Sequence, residues 1–212
     1  MGSTAKHAVW GIGLTRTGTT SLNRALQILG YAAVHYPTIH TLLHEPLEAA
    51  TDEPVAVTYK YLDFLYPGSK FIVTERDEDG WIASAAAHRH RHFERLKRGQ
   101  PAVSGFLGAR SDWVHAQTAA ILTQSLARDR AVERIFTQMV LYETVSFDEQ
   151  KFRAGYRRFH ADVERYFADR PADLLRLRVS DTDNWRRICK FLGDPLPTVP
   201  FPNLNVARPA PR

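Results

Sequence analysis

The chain has 212 residues, 44% of them hydrophobic, enough for one well-buried domain and too few to argue for several. Its 28 Lys and Arg against 23 Asp and Glu leave a net charge of +5, which suits a small anionic ligand but forms no single-sign tract of the kind a nucleic-acid-binding arm carries. A lone cysteine, Cys189, excludes an intramolecular disulfide and a multi-cysteine zinc site and fits a reducing compartment, and no run of about 18 apolar residues offers a membrane span. MGSTAKH carries no basic leader with an apolar run and a small-residue cleavage site. The expected address is the cytoplasm, with neither membrane nor nucleic acid as a partner; oligomeric state has no signature.

In chain order, Ala8 to Leu14 is short, apolar and interrupted by glycines, which reads as a buried strand. Ser21 to Gly30 places Leu22, Ala25, Leu26 and Leu29 at helical spacing and stops at Gly30. Tyr31 to His35 suits a second strand. Pro54 to Tyr66 opens on proline, sets Val55, Tyr59, Leu62 and Leu65 near one face and ends at Pro67-Gly68, a helix. Lys70 to Thr74, KFIVT, is the clearest strand. From Asp79 to Phe167 the pattern is helical, broken at Gly99 to Gly105 and around Thr144 to Phe147. Leu174 to Val179 returns as a strand, Asp181 to Leu192 as a helix ended by Gly193, and PLPTVPFPNLN from Pro195 as an extended strap. This alternation predicts an α/β fold, a P-loop NTPase-like central parallel sheet flanked by helices. The expected organisation is one domain over residues 1–212 with a largely helical insertion at about 85–168.

Between the first strand and helix runs GIGLTRTGTTS, Gly11 to Ser21. Backbone N–H groups converging at a helix start lack intrahelical partners, and the helix dipole favours negative charge there. Gly18 lets the backbone approach a ligand, Thr17, Thr19, Thr20 and Ser21 bring hydroxyls, and Arg16 brings a fixed cation. Gly13 to Gly18 has the glycine spacing of the nucleotide-triphosphatase loop, yet Thr19 stands where that loop needs its lysine, which disfavours a kinase or ATPase. The dinucleotide fingerprint fails at Arg16, where its third glycine belongs.

Arg16-Thr17-Gly18-Thr19-Thr20 resembles the 5'-phosphosulfate loop of the P-loop sulfotransferases that use 3'-phosphoadenosine 5'-phosphosulfate, PAPS. ALQILGY, TDEPV, YPGSKFIVTERDEDGW and WRRICKFLGDPLPTVPFPNLN extend the likeness over most of the chain, toward a bacterial and fungal branch of small sulfotransferases. It is thinnest from about His88 to Leu141, where acceptor choice is expected. The resemblance implies that Arg76, at the end of KFIVTE, and Ser84, past Trp81, hold the 3'-phosphate. An arginine grips phosphate bidentately and a serine hydroxyl completes the contact. The alternative for Arg76 is a surface ion pair with Glu75, Asp77 or Asp79.

The same resemblance implies transfer of a sulfuryl group from PAPS to a hydroxyl or amine of a small-molecule acceptor, leaving adenosine 3',5'-bisphosphate and requiring no metal. Arg16 would stabilise charge growing on the leaving oxygen. The general base is open among His35, His40, His44, Glu48 and Asp52. His35 has an ordinary pKa suited to base work, and Asp52 lies in a stretch resembling the family's D-x-P. Asp52 is equally placed to cap the helix at Pro54, and His35 to bond backbone at a strand end. His88 and His92 share a helix face but lack a third ligand, so the run around them reads as a solvated basic face, and His160 reads as structural. The rivals are an atypical P-loop kinase and a binding module that has lost turnover.

Overall fold

The structure is a computed structural model and describes residues 7–99 and 130–204, of which 91–99 and 130–132 are described by backbone alone. Strands β1 (Val9–Gly11), β2 (Ala33–His35), β3 (Ala49–Thr51), β4 (Lys70–Thr74) and β5 (Leu174–Leu177) form one sheet in the order β2-β3-β1-β4-β5, with every pairing parallel. Helices α1 (Thr19–Ile28), α2 (Ile39–His44), α3 (Glu53–Leu65), α4 (Glu78–Gly99), α5 (Arg130–Tyr142), α6 (Glu149–Tyr166) and α7 (Asn184–Leu192) accompany it. This is the parallel α/β architecture that the strand and helix alternation predicts. Two compact units divide the chain, one holding residues up to Asp77 and from Arg157 onward, the other Glu78–Tyr156.

In the first unit, consecutive strand residues point to opposite faces and both faces are covered. Val9, Ala33, Ala49, Ile72 and Leu177 pack with Leu22 and Leu26 of α1 and Ile188 of α7. On the other face the buried Trp10 ring lies 5.1 Å from Tyr66, its Nε1 donates to Ser69 Oγ at 3.0 Å, and Phe71 lies 5.0 Å from Phe167. Each such fully buried side chain contributes about 1.5–3 kcal/mol relative to exposure.

The helix starts differ from the predicted ones for local reasons. α1 begins at Thr19, two residues before Ser21, because Gly18 takes a left-handed conformation (φ 112) that the preceding loop imposes. β5 stops at Leu177 and α7 waits until Asn184, because the Asn184 side-chain amide donates to the carbonyls of Arg178, Val179 and Asp181 and closes the turn between them. α2 and β3 have no counterpart in the sequence reading. Ala49-Ala50-Thr51 carries little strand signal, and its pairing with β1 on one side and β2 on the other makes it a strand.

After Gly193 (φ 76) the proline-rich segment runs without regular structure to Leu204, as a strap. Val199 O accepts from Trp185 Nε1 at 2.8 Å, Phe201 sits edge-on to the Trp185 ring at 5.1 Å, and the Leu204 amide donates to Ser21 Oγ at 2.9 Å. In the second unit the described part of the helical stretch is held by packed aromatics. Tyr142 and Phe152 lie 4.1 Å apart, and Trp81 and Tyr156 4.6 Å apart. Among the described residues no helix is long and apolar enough to cross a membrane.

Candidate active site

In an open parallel sheet, ligands bind beyond the carboxyl ends of the strands where the strand order reverses. Here that point is β1, which has β3 on one side and β4 on the other. Register brings Gly11 of β1 level with Thr51 of β3 and Ile72 of β4, and Thr51 level with His35 of β2. The loop from Gly13 to Gly18 leaves this edge and feeds α1, whose N-terminus has no side-chain cap. Its first-turn amides therefore point out of the helix end, the arrangement an anion prefers.

The loop is held from beneath. Thr17 Oγ1 donates to Leu14 O at 2.6 Å and lies 2.6 Å from Thr74 Oγ1 at the end of β4. A Cβ on Gly13 would fall 1.8 Å from that same Thr74 oxygen, and one on Gly18 would fall 2.4 Å from Val179 Cγ2. Arg16 is half-buried and adopts φ 70, a left-handed conformation that costs a non-glycine residue about 1–2 kcal/mol.

The hydroxyls of the run are not equivalent. Thr19 Oγ1 donates to Asp52 Oδ2 at 3.0 Å, and Thr20 Oγ1 lies 3.1 Å from His35 Nε2. Ser21, expected among the cofactor-binding hydroxyls, is fully buried and its oxygen accepts from the Leu204 amide, so its side chain secures the strap.

His35 and Asp52, which sequence signals offered as rivals, are neighbours. His35 ends β2 and Asp52 immediately follows β3, with His35 Nε2 at 3.3 Å from Asp52 Oδ2. Asp52 also caps α3, its Oδ1 accepting from the Glu53 amide at 2.8 Å. It is 4% exposed and sits at φ 93, backbone that usually belongs to glycine and costs about 1–3 kcal/mol elsewhere. Behind the ring, His35 Nδ1 lies 3.0 Å from Thr51 Oγ1, which is in turn 3.5 Å from Asn23 Oδ1. Thr51, Asn23 and Thr74 carry no motif and stay invisible until the sheet is assembled. Of the other base candidates, His40 and His44 lie along α2 with their rings 4.6 Å apart and tilted, and Glu48 accepts from the Ala32 amide at 2.8 Å.

Arg76 is exposed, two residues beyond β4 in the first unit, and Ser84 is half-buried on α4 in the second. Of the carboxylates flanking Arg76 in sequence, Glu75 accepts from Arg176 and Asp79 from Arg153. Within the run His88 to His92, the His92 side chain lies outside the described residues, and no cluster of three metal-ligating side chains occurs among the described ones.

His160 faces Glu75, with Nδ1 at 3.7 Å from Oε1. Burial holds its imidazole below the ordinary value of 6.5; Glu75 opposes that shift and Arg176 adds to it. His35 is lowered by burial as well. As pH falls through 6.5 the unfolded chain takes up protons that these folded rings resist, so stability decreases with acidification. Thermal melts between about pH 7.5 and pH 5.5 should show this loss, and His160→Gln should flatten the profile by at most about 1.4 kcal/mol per pH unit. An unchanged slope would remove His160 from this linkage.

Fold and loop together define a parallel α/β protein in which a glycine-containing loop feeds an uncapped helix at the centre of the sheet, with a polar pair beside it. The sulfotransferase domain family matches residues 8–44 and 38–209, nearly the whole chain, and the chain belongs to that family. It is a transferase of the sulfotransferase class. No curated protein matches it.

Proposed function

We propose that the protein transfers a sulfuryl group from PAPS to a hydroxyl or amine of a small-molecule acceptor. The observation that carries this reading is the uncapped start of α1, entered through Arg16-Thr17-Gly18-Thr19-Thr20 at the switch point of the sheet, with His35 and Asp52 at its side. The fit to a phosphate rests on that uncapped helix end and on two glycine positions, 13 and 18, with no room for a side chain, which bring backbone up to the ligand. PAPS supplies the sulfuryl group and its leaving bisphosphate.

The residues divide the work by chemistry. Arg16 and the first-turn amides neutralise negative charge at the loop. Arg76 and Ser84, eight residues apart in sequence, receive the 3'-phosphate by the family resemblance. The His35–Asp52 pair takes the acceptor's proton. One sulfotransferase domain over residues 1–212, with acceptor choice residing in the helical insertion at about 85–168, and a cytoplasmic address complete the proposal.

A thermal-shift comparison tests it. Adenosine 3',5'-bisphosphate should raise Tm at concentrations where ATP with magnesium does not, because ligand-linked stabilisation reports affinity for the folded state. Greater stabilisation by ATP would transfer the site to a kinase, a reading favoured by the Gly13/Gly18 spacing and opposed by Thr19 in the lysine position.

A further inference from the structure

His35 touches hydroxyls or a carboxylate through both ring nitrogens, and a neutral imidazole has one proton to place between them. Asp52 accepts through both oxygens, from the Glu53 amide and from Thr19, which marks it as the ionised, acceptor-only form. A proton on Nδ1 would leave the Nε2 lone pair facing Asp52 Oδ2 at 3.3 Å, acceptor against acceptor. A proton on Nε2 instead makes that contact a charge-assisted hydrogen bond.

Thr51 accommodates the same choice from the other side. Its hydroxyl has one proton and two acceptors in reach, His35 Nδ1 at 3.0 Å and Asn23 Oδ1 at 3.5 Å. Thr51 Oγ1 donates to Asn23 Oδ1 only at the long limit of 3.5 Å, so with the ring protonated at Nε2 its proton turns to the nearer Nδ1. Thr20 Oγ1, 3.1 Å from Nε2, then accepts from the ring, and its own proton is turned away from the imidazole. The ring's basic lone pair is left pointing at Thr51, which is fully buried.

Resting on the proposed sulfuryl transfer, we infer that His35 is a positioning residue held as the Nε2–H tautomer. It orients Asp52 and Thr20 through one shared N–H and leaves Asp52 as the proton acceptor. The proton passes from the acceptor hydroxyl to the Asp52 carboxylate as the new O–S bond forms and the bond from sulfur to the leaving oxygen breaks. His35 neither gains nor loses a proton.

The tautomer is readable without any ligand. Long-range 1H–15N correlation on 15N-histidine-labelled protein at about pH 7.5, with His35 assigned through His35→Gln, should show its Nε2 protonated and its Nδ1 bare. An Nδ1–H signal overturns the inference. Kinetics give the second arm, because the glutamine amide reproduces the N–H donor and cannot serve as a base. His35→Gln should hold kcat within about tenfold of wild type and His35→Ala should lose about 100-fold, while Asp52→Asn should lose about 1,000-fold. A glutamine variant as impaired as Asp52→Asn makes His35 the base. Wild-type protein that binds no bisphosphate and transfers no sulfuryl group refutes the sulfotransfer reading instead, and the ring spectrum still decides the tautomer.

Discussion

Replacing Arg16 by alanine should lower kcat for sulfuryl transfer by about 1,000-fold, with a loss of about tenfold in affinity for adenosine 3',5'-bisphosphate. The asymmetry follows from where charge grows. Backbone amides at the start of α1 still meet the resting anion, whereas the fixed cation at the loop is needed most when the leaving oxygen acquires charge. Lysine should restore only part of the rate, since its point charge lacks the planar fork of a guanidinium. The backbone supplies a control that separates function from folding. Arg16 holds φ 70, a conformation glycine adopts freely, so Arg16→Gly relieves strain while deleting the charge. The glycine variant should melt above the alanine variant and be as inactive. A rate loss below about tenfold in both would take Arg16 out of the chemistry.

The loop into the first helix was legible because its signal is local: two glycines at fixed spacing, a cation and hydroxyls at a helix start, all within Gly11 to Ser21. KFIVT and the Pro54 helix were legible for the same reason, and they appear as β4 and α3. What escaped depends on contacts distant in sequence. β3 is three residues of weak propensity, and without it nothing aligns His35 with Thr51 or brings Asp52 beside the ring. His35 and Asp52 therefore read as alternatives when they form one hydrogen-bonded group. The N-cap reading of Asp52 competed with the proton-acceptor reading, yet the carboxylate caps α3 with one oxygen and faces His35 and Thr19 with the other. Ser21 shows the reverse dependence. Its position in the run suggested a ligand hydroxyl, but the strap 183 residues further on takes that oxygen.

Gly13→Ala should lower Tm by roughly 6–12 °C, the equivalent of about 3 kcal/mol of overpacking in a chain of this size, and weaken bisphosphate binding more than tenfold. A methyl group there would meet Thr74 Oγ1 at 1.8 Å, Thr17 Oγ1 at 2.9 Å and Thr74 Cβ at 3.0 Å. None of these atoms can yield cheaply. Thr74 is fully buried, its hydroxyl is bonded to Thr17, and Thr17 is tied to Leu14 O, so displacing one moves the whole loop floor. The clash thus reaches the amides at the start of α1 without any change to them. Thr74→Ala alone should cost about 1 kcal/mol, the worth of the lost hydroxyl contact. In the Gly13→Ala background the same change removes the oxygen at 1.8 Å, the severest of the three contacts, and frees Thr17 Oγ1 at 2.9 Å from its Thr74 partner so that it can shift. The double variant should therefore melt above Gly13→Ala, so that one substitution is destabilising alone and stabilising in combination. Additive losses in the double-mutant cycle would mean that Gly13 is required for something other than the close approach of Thr74.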